Sequence, residues 1–122
     1  MNDWKNELLA EIEEMALVNV GIGLWVLNPE FNSETNTWSG GVEDGDRKWS
    51  FSRDRLVEIC EEIATHRAMG GKPAVGEEYE IAIAETYRCH RRGVREDCDF
   101  DIDSECADII WQYAAFGEIV YG

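Results

Sequence analysis

Thr37-Trp38-Ser39-Gly40-Gly41-Val42-Glu43-Asp44-Gly45-Asp46-Arg47-Lys48-Trp49-Ser50-Phe51 decides the fold. Two short runs bearing aromatic and β-branched residues flank an acidic turn centred on Asp44-Gly45. Asp-Gly supplies the positive backbone angles that a tight hairpin turn needs. The spacing predicts strands over Thr37–Val42 and Arg47–Phe51, and a cross-strand contact between Trp38 and Trp49 if the register opposes them.

Working outward, Val18 to Leu27 alternates Val18, Val20, Ile22, Leu24 and Val26 with Asn19, Gly21, Gly23 and Trp25. A period of two with β-branched residues predicts another strand. Asn28-Pro29 then opens a polar loop to about Asn36. Three strands joined in sequence order form an antiparallel meander.

Helical periods surround it. Trp4, Leu8, Ile12 and Met15 form one stripe behind a cap at Asn2 or Asp3. Ser52 is placed to cap a second helix with Leu56, Ile59, Cys60 and Ile63 inward, ended by Gly70-Gly71 before Pro73. Val75–Arg92 carries both periods: Val75, Tyr79, Ile83 and Tyr87 recur every four residues, while Tyr79, Ile81 and Ile83 alternate. Its alanines and glutamates favour helix, ended by Gly93, with a fourth strand as the alternative. A last helix, capped by Asp103 or Ser104, turns Cys106, Ile109, Ile110 and Tyr113 inward, and an apolar Ile119-Val120-Tyr121 tail packs behind it. The expectation is an α+β fold: a three-stranded antiparallel meander with about four helices packed mainly on one face. With 122 residues, and neither a repeat nor a linker, 1–122 reads as a single domain.

Charge bears most directly on function. There are 26 Asp and Glu against 11 Lys and Arg, a net charge of −15. Direct nucleic-acid binding needs phosphates neutralised by Lys and Arg, so it is excluded as a leading function, and an anionic membrane is disfavoured for the same reason. The surplus can serve solubility, adaptation to high salt, or docking on a basic protein.

The sharpest local feature is Asp97-Cys98-Asp99-Phe100-Asp101-Ile102-Asp103. An extended backbone would set Asp97, Asp99, Asp101 and Asp103 on one side at roughly 6.6–6.8 Å intervals, near the spacing of phosphates along a strand. The plainer reading is a solvated loop with Cys98, Phe100 and Ile102 inward. A calcium loop counted from Asp97 places acids at positions 1, 3, 5, 9 and 12. It lacks the position-6 glycine (Ile102 stands there) and has the shorter Asp108 at position 12. Just upstream, Arg88, Arg91, Arg92 and Arg95 face seven acids between Glu96 and Asp108. Pairing between the two groups is the simple outcome, and an anion site at Arg88, Arg91 and Arg92 the alternative.

Cys60 and Cys106 lie on apolar helix faces. Cys89, His90, Cys98 and Cys106 lack the C-x-x-C pairing of structural zinc, so no metal is expected. The chain opens without a basic and apolar leader, and we expect reduced thiols and a cytoplasmic location, the host cytoplasm if the chain is phage-encoded. No G-x-S-x-G, Walker A or H-E-x-x-H motif occurs. His66 reads as a partner for a helix C-terminus. The expectation is a non-enzyme without cofactor.

These features favour a small acidic inhibitor or decoy that presents carboxylates in place of phosphates to a basic nucleic-acid-binding protein, a nuclease or a CRISPR or restriction component. Phage anti-CRISPR and anti-restriction proteins act by such nucleic-acid mimicry as a class, and composition alone carries the analogy. Candidate partner-binding residues are Glu43, Asp44 and Asp46 of the turn and Asp97, Asp99, Asp101 and Asp103, with the helix-face Glu11, Glu14, Glu58, Glu61 and Glu62 ranked behind them and Trp25 or Trp38 as aromatic anchors. The alternatives are an immunity protein neutralising a nuclease toxin, and a ligand- or divalent-ion-binding module whose acidity is incidental.

Overall fold

A computed structural model describes residues 3–17, 26–42, 47–70 and 76–120. Among these residues, four helices and a three-stranded antiparallel sheet follow in the order α1 (Asp3–Leu17), β1 (Val26–Asn32), β2 (Thr37–Val42), β3 (Lys48–Ser52), α2 (Arg55–Ala68), α3 (Glu77–Arg92) and α4 (Ser104–Phe116), with a 3₁₀ turn at Arg95–Asp97. The sheet order is β1-β2-β3, the expected meander. The predicted strand residues Val18–Trp25 and the turn Glu43–Asp46 lie outside the described residues.

The sheet departs from expectation at three points. Asn28-Pro29 does not open a loop, because β1 runs on to Asn32. Asn28 takes a positive φ of 50°, the register slips between Leu27 and Glu30, and pairing resumes at Glu30↔Ser39. A bulge on an edge strand is where a proline, which has no N–H to donate, is tolerated. The turn is therefore only Ser33–Asn36. Asn32 Oδ1 accepts from the Glu34 and Thr35 amides at 2.9 and 3.3 Å, an Asx turn. Secondly, Trp38 opposes Phe51 and Trp49 opposes Gly40, so the two tryptophans are not a cross-strand pair. Thirdly, Ser52 ends β3 and does not cap α2. Arg53 turns the chain by donating its amide to the Asn36 carbonyl at 2.9 Å, and Asp54 holds the cap position without a side-chain bond.

Trp38 and Trp49 meet instead through Trp111 of α4. Trp111 is fully buried, with ring centroids 5.4 Å from Trp38, 6.0 Å from Trp49 and 5.1 Å from Phe51, all at steep edge-to-face angles. That geometry sets the positive edge of one ring against the negative face of another. Around it, Leu8 and Ile12 of α1, Leu56 and Cys60 of α2, Ile83 of α3 and Ile110 of α4 close the core. The inward residues fall at helical spacings, as the sequence pattern requires. The opposite face of the sheet presents Lys48 and Ser50 to solvent.

Val75–Arg92 resolves as helix over Glu77–Arg92. Four-residue spacing outweighs the short alternation because Tyr79, Ile83 and Tyr87 share one inward face. Gly93 ends α3 at φ 72°, with its amide on His90 O and the Val94 amide on Cys89 O, a Schellman motif. Asp103 caps α4, its Oδ1 accepting from the Cys106 amide at 2.8 Å. Gln112 Oε1 accepts the Val120 amide at 2.8 Å and holds the tail, whose Ile119 packs on the core.

Trp111→Ala should cost about 3–5 kcal/mol, because it removes the ring on which three others converge. Urea unfolding of both proteins checks this. A loss below about 1 kcal/mol would mean the cluster re-closes without it.

Candidate functional site

The acidic stretch is held by a carboxylate on another element. Glu11 sits one residue before Ile12 on the margin of α1's buried face and turns toward the end of α3. Its Oε1 accepts from His90 Nε2 and Arg95 Nε, both at 3.0 Å. Its Oε2 accepts from Arg95 Nη2 and the Ile102 amide, both at 3.1 Å. A carboxylate has about four lone-pair positions, and all four are filled. An ionised carboxylate only accepts, so His90 carries its proton on Nε2. Burial alone raises the Glu11 pKa. The hydrogen bonds from His90, Arg95 and the Ile102 amide, with the Arg95 charge, outweigh it and lower it from 4.5 to about 2.

Glu13 performs a parallel task on the sheet side. It accepts from Trp38 Nε1 at 2.7 Å and takes a two-pronged pair from Arg53 at 2.8 Å for each contact. Planar guanidinium and carboxylate groups match in this geometry. Two carboxylates of one helix thus bind it to the sheet and to the acidic loop.

The loop itself is not a strand. Arg95–Asp97 forms the 3₁₀ turn, and residues 98–103 are irregular before α4. Ile102 is buried and Cys98 half-buried, while Phe100 stays 37% exposed. All four aspartates face solvent, but they do not act as a uniform row. Asp101 pairs with Arg95 and Asp103 is spent on the α4 cap. Asp97 and Asp99, beside Glu96, are exposed and carry no ion pair among the described residues. Nearby, Glu105 accepts from the Tyr79 hydroxyl, which together with its charge pushes the Tyr79 pKa up to about 12.

Of the other candidates, Glu43, Asp44, Asp46 and Trp25 lie outside the described residues. Glu58 and Glu62 pair with Arg55, and Glu61 accepts from the Tyr87 hydroxyl at 2.9 Å. Trp38 is turned inward against Trp111, so it is not available as a surface anchor. The Arg88, Arg91 and Arg92 anion site is not assembled as a set: Arg88 pairs with Glu85 and donates to the Ala64 carbonyl. A cleft of about 530 Å³ beside them is lined by Arg91, Arg92 and Trp4 but also by Glu7, Glu96 and Asp97, which leaves its field mixed.

The expectation of four reduced thiols is corrected. Cys89 and Cys98 form a disulfide, their Cα atoms 6.0 Å apart, within the range a disulfide spans. Gly93 makes it possible by reversing the chain so that the 3₁₀ turn returns over the last turn of α3. Cys60 and Cys106 are free and buried. Burial raises both thiol pKa values, that of Cys106 to about 12 with help from Asp103. Among the described residues, no group of three or more His, Cys, Asp or Glu side chains is arranged to hold a metal ion. No helix among them is long and apolar enough to cross a membrane. Comparison with family models, curated proteins and solved structures finds no match.

Sequence periodicity placed Glu11 on a helix flank but carried no sign of its partners, which are 79 to 91 residues away. The one readable signal was the run of arginines meeting a run of acids, and it named Arg95 without naming Glu11.

The lowered pKa of Glu11 sets an acid limb. Its stabilisation is complete above the unfolded carboxylate pKa and is lost as pH falls from about 5 toward 2. Glu11→Gln should cost on the order of 3 kcal/mol at neutral pH, since it leaves half-buried Arg95 without its main counter-charge. The melting temperature of the variant should also fall less steeply below pH 5 than that of the parent. Parallel acid limbs would show that Glu11 titrates elsewhere.

Proposed function

We propose that the chain is a small acidic inhibitor or decoy that docks on a basic nucleic-acid-handling protein by standing in for a phosphate backbone. The observation that carries the reading is how its few cations are used. Of its 8 arginines, Arg53, Arg55, Arg88 and Arg95 are engaged with carboxylates of the same chain, and Arg47 lies over the Phe116 ring. The charge of −15 is therefore carried largely by the remaining carboxylates. Glu96, Asp97 and Asp99 project from a loop that is tied down at Cys98, Arg95 and Ile102. Carboxylates on a pre-ordered loop lose little freedom when a partner's arginines engage them.

In this reading the partner is a nuclease or a CRISPR or restriction component. The setting is cytoplasmic, of the phage anti-defence kind, and the chain performs no chemistry on its target. Association is steered by charge, so it is fast and weakens with salt. Asp101 and Asp103 contribute through the loop's shape, whereas Asp97 and Asp99 supply free charge.

The test is capture of lysate proteins on the immobilised chain, with salt-dependent release and identification of what elutes. The Asp97→Asn, Asp99→Asn double variant should bind the eluted protein roughly three- to tenfold more weakly, chiefly through a slower on-rate, with an unchanged melting temperature. Unaltered affinity would remove this loop from the docking surface. Retention of no basic protein at low salt would overturn the decoy reading.

A further inference from the structure

We propose that the Cys89–Cys98 disulfide is a reversible redox latch that sets the order of the acidic loop while leaving the core unchanged. The inference stands on the placement of the four cysteines and does not depend on what the loop binds. Cys60 and Cys106 are fully buried in the core and are sealed from small thiols. Cys89 and Cys98 are half-buried, neither sealed in the core, one on the last turn of α3 and the other just past the 3₁₀ turn. Redox chemistry is thereby confined to the one pair that bridges helix and loop.

The restraints on the loop divide unequally. Arg95 and the Ile102 amide are bound by Glu11, one at each end of the segment. Between them, the segment is held by the disulfide at Cys98, which also brings Cys98 Sγ within 3.9 Å of the Glu85 carbonyl, by the Arg95 contact to exposed Asp101, and by the Asp97 amide on Val94 O at 3.0 Å. The Cys98 amide also closes the 3₁₀ turn on Arg95 O at 3.2 Å. Opening the disulfide leaves residues 96–101 as a short span anchored at both ends. Trp4 and Glu7 of α1 border the same cleft as Glu96 and Asp97, whereas no ring of the Trp111 cluster lines it.

The reaction needs a dithiol, a class of reductant common in reducing compartments. One thiolate of the dithiol attacks Cys98 Sγ, the Sγ–Sγ bond breaks, and Cys89 leaves as a thiolate that takes up a proton. The second thiol of the reductant then displaces Cys98 as a thiol and closes its own disulfide. Two electrons and two protons pass from reductant to protein. Cys98 stands between Asp97 and Asp99, whose charges disfavour a thiolate there, so Cys89 is the better leaving group.

The test compares the full chain equilibrated with oxidised glutathione and the same chain treated with a dithiol under folding conditions. Counting thiols by alkylation after unfolding should give two in the first sample, Cys60 and Cys106, and four in the second. Amide exchange in residues 96–100 should be about tenfold faster in the reduced protein, with α1 and α4 unchanged. The Cys89→Ser, Cys98→Ser variant should match the reduced protein with or without dithiol. Four alkylated thiols in the oxidised sample, a bridge that resists dithiol until the chain is unfolded, or equal exchange at 96–100 in both states would each overturn the latch. None of these readouts involves a partner, so they leave the docking reading to its own test.

Discussion

The fold depends on one charged contact: the Glu11 carboxylate placed where four donors converge. Moving a carboxylate out of water costs several kcal/mol. Hydrogen bonds to a charged acceptor contribute about 1.5–3 kcal/mol each, so only a fully coordinated carboxylate offsets that cost. Each oxygen of Glu11 has two donors, two of the four coming from the one guanidinium of Arg95. Three separate parts of the chain are thereby fixed to α1: the end of α3 through His90, the 3₁₀ turn through Arg95 and the approach to α4 through Ile102. With Glu13 fixing Trp38 and Arg53, α1 joins the sheet to the loop.

That arrangement explains how a chain of charge −15 holds together. Self-repulsion among carboxylates favours expansion of the chain. The arginines oppose it where they bridge distant segments, and Arg53 to Glu13 and Arg95 to Glu11 span 40 and 84 residues. Arg55 with Glu58 is short-range and exposed, and such pairs contribute about 0–1 kcal/mol, while Arg88 with Glu85 is part-buried but joins residues one helical turn apart and bridges no distant segments. Two arginines therefore carry most of the electrostatic cohesion. The remaining acids need not be neutralised for the fold to persist, which frees the surface charge for other uses.

The parts legible in the sequence are those that repeat at short range. Periods of two and four locate the second and third strands and the four α-helices of the described residues, Asp44-Gly45 falls between the paired strands in sequence, and Gly93 marks a helix end that takes positive φ. The misses all involve contacts that periodicity does not encode. Asn28-Pro29 looked like the start of a loop because a bulge and a loop share the same residues, and only the partner strand distinguishes them. Trp38 and Trp49 match only under a register that strand pairing does not adopt, and local periodicity does not encode register. Nothing in the spacing of Cys89 and Cys98 relates the helix to the loop, and the reversal at Gly93 brings them together. The aspartate row lost its uniformity for a similar reason: Asp101 and Asp103 have local partners that alternation alone does not reveal.

The molecule has two structural centres that differ in kind. The first is Trp111 with Trp38, Trp49 and Phe51, an apolar contact that draws its stability from burial and ring geometry and contains no ionisable side chain. The second is Glu11 with His90, Arg95 and Ile102, a polar contact beside which lies the only disulfide among the described residues. The same helix, α1, contributes Leu8 and Ile12 to the core and Glu11 to the clasp, so the two centres are joined through it. The carboxylate stays ionised down to about pH 2, so ordinary shifts of pH do not release it. The acidic loop is thus held by a carboxylate that ordinary shifts of pH leave charged, and its exposed acids Glu96, Asp97 and Asp99 lie between the two points, Arg95 and Ile102, where that carboxylate binds.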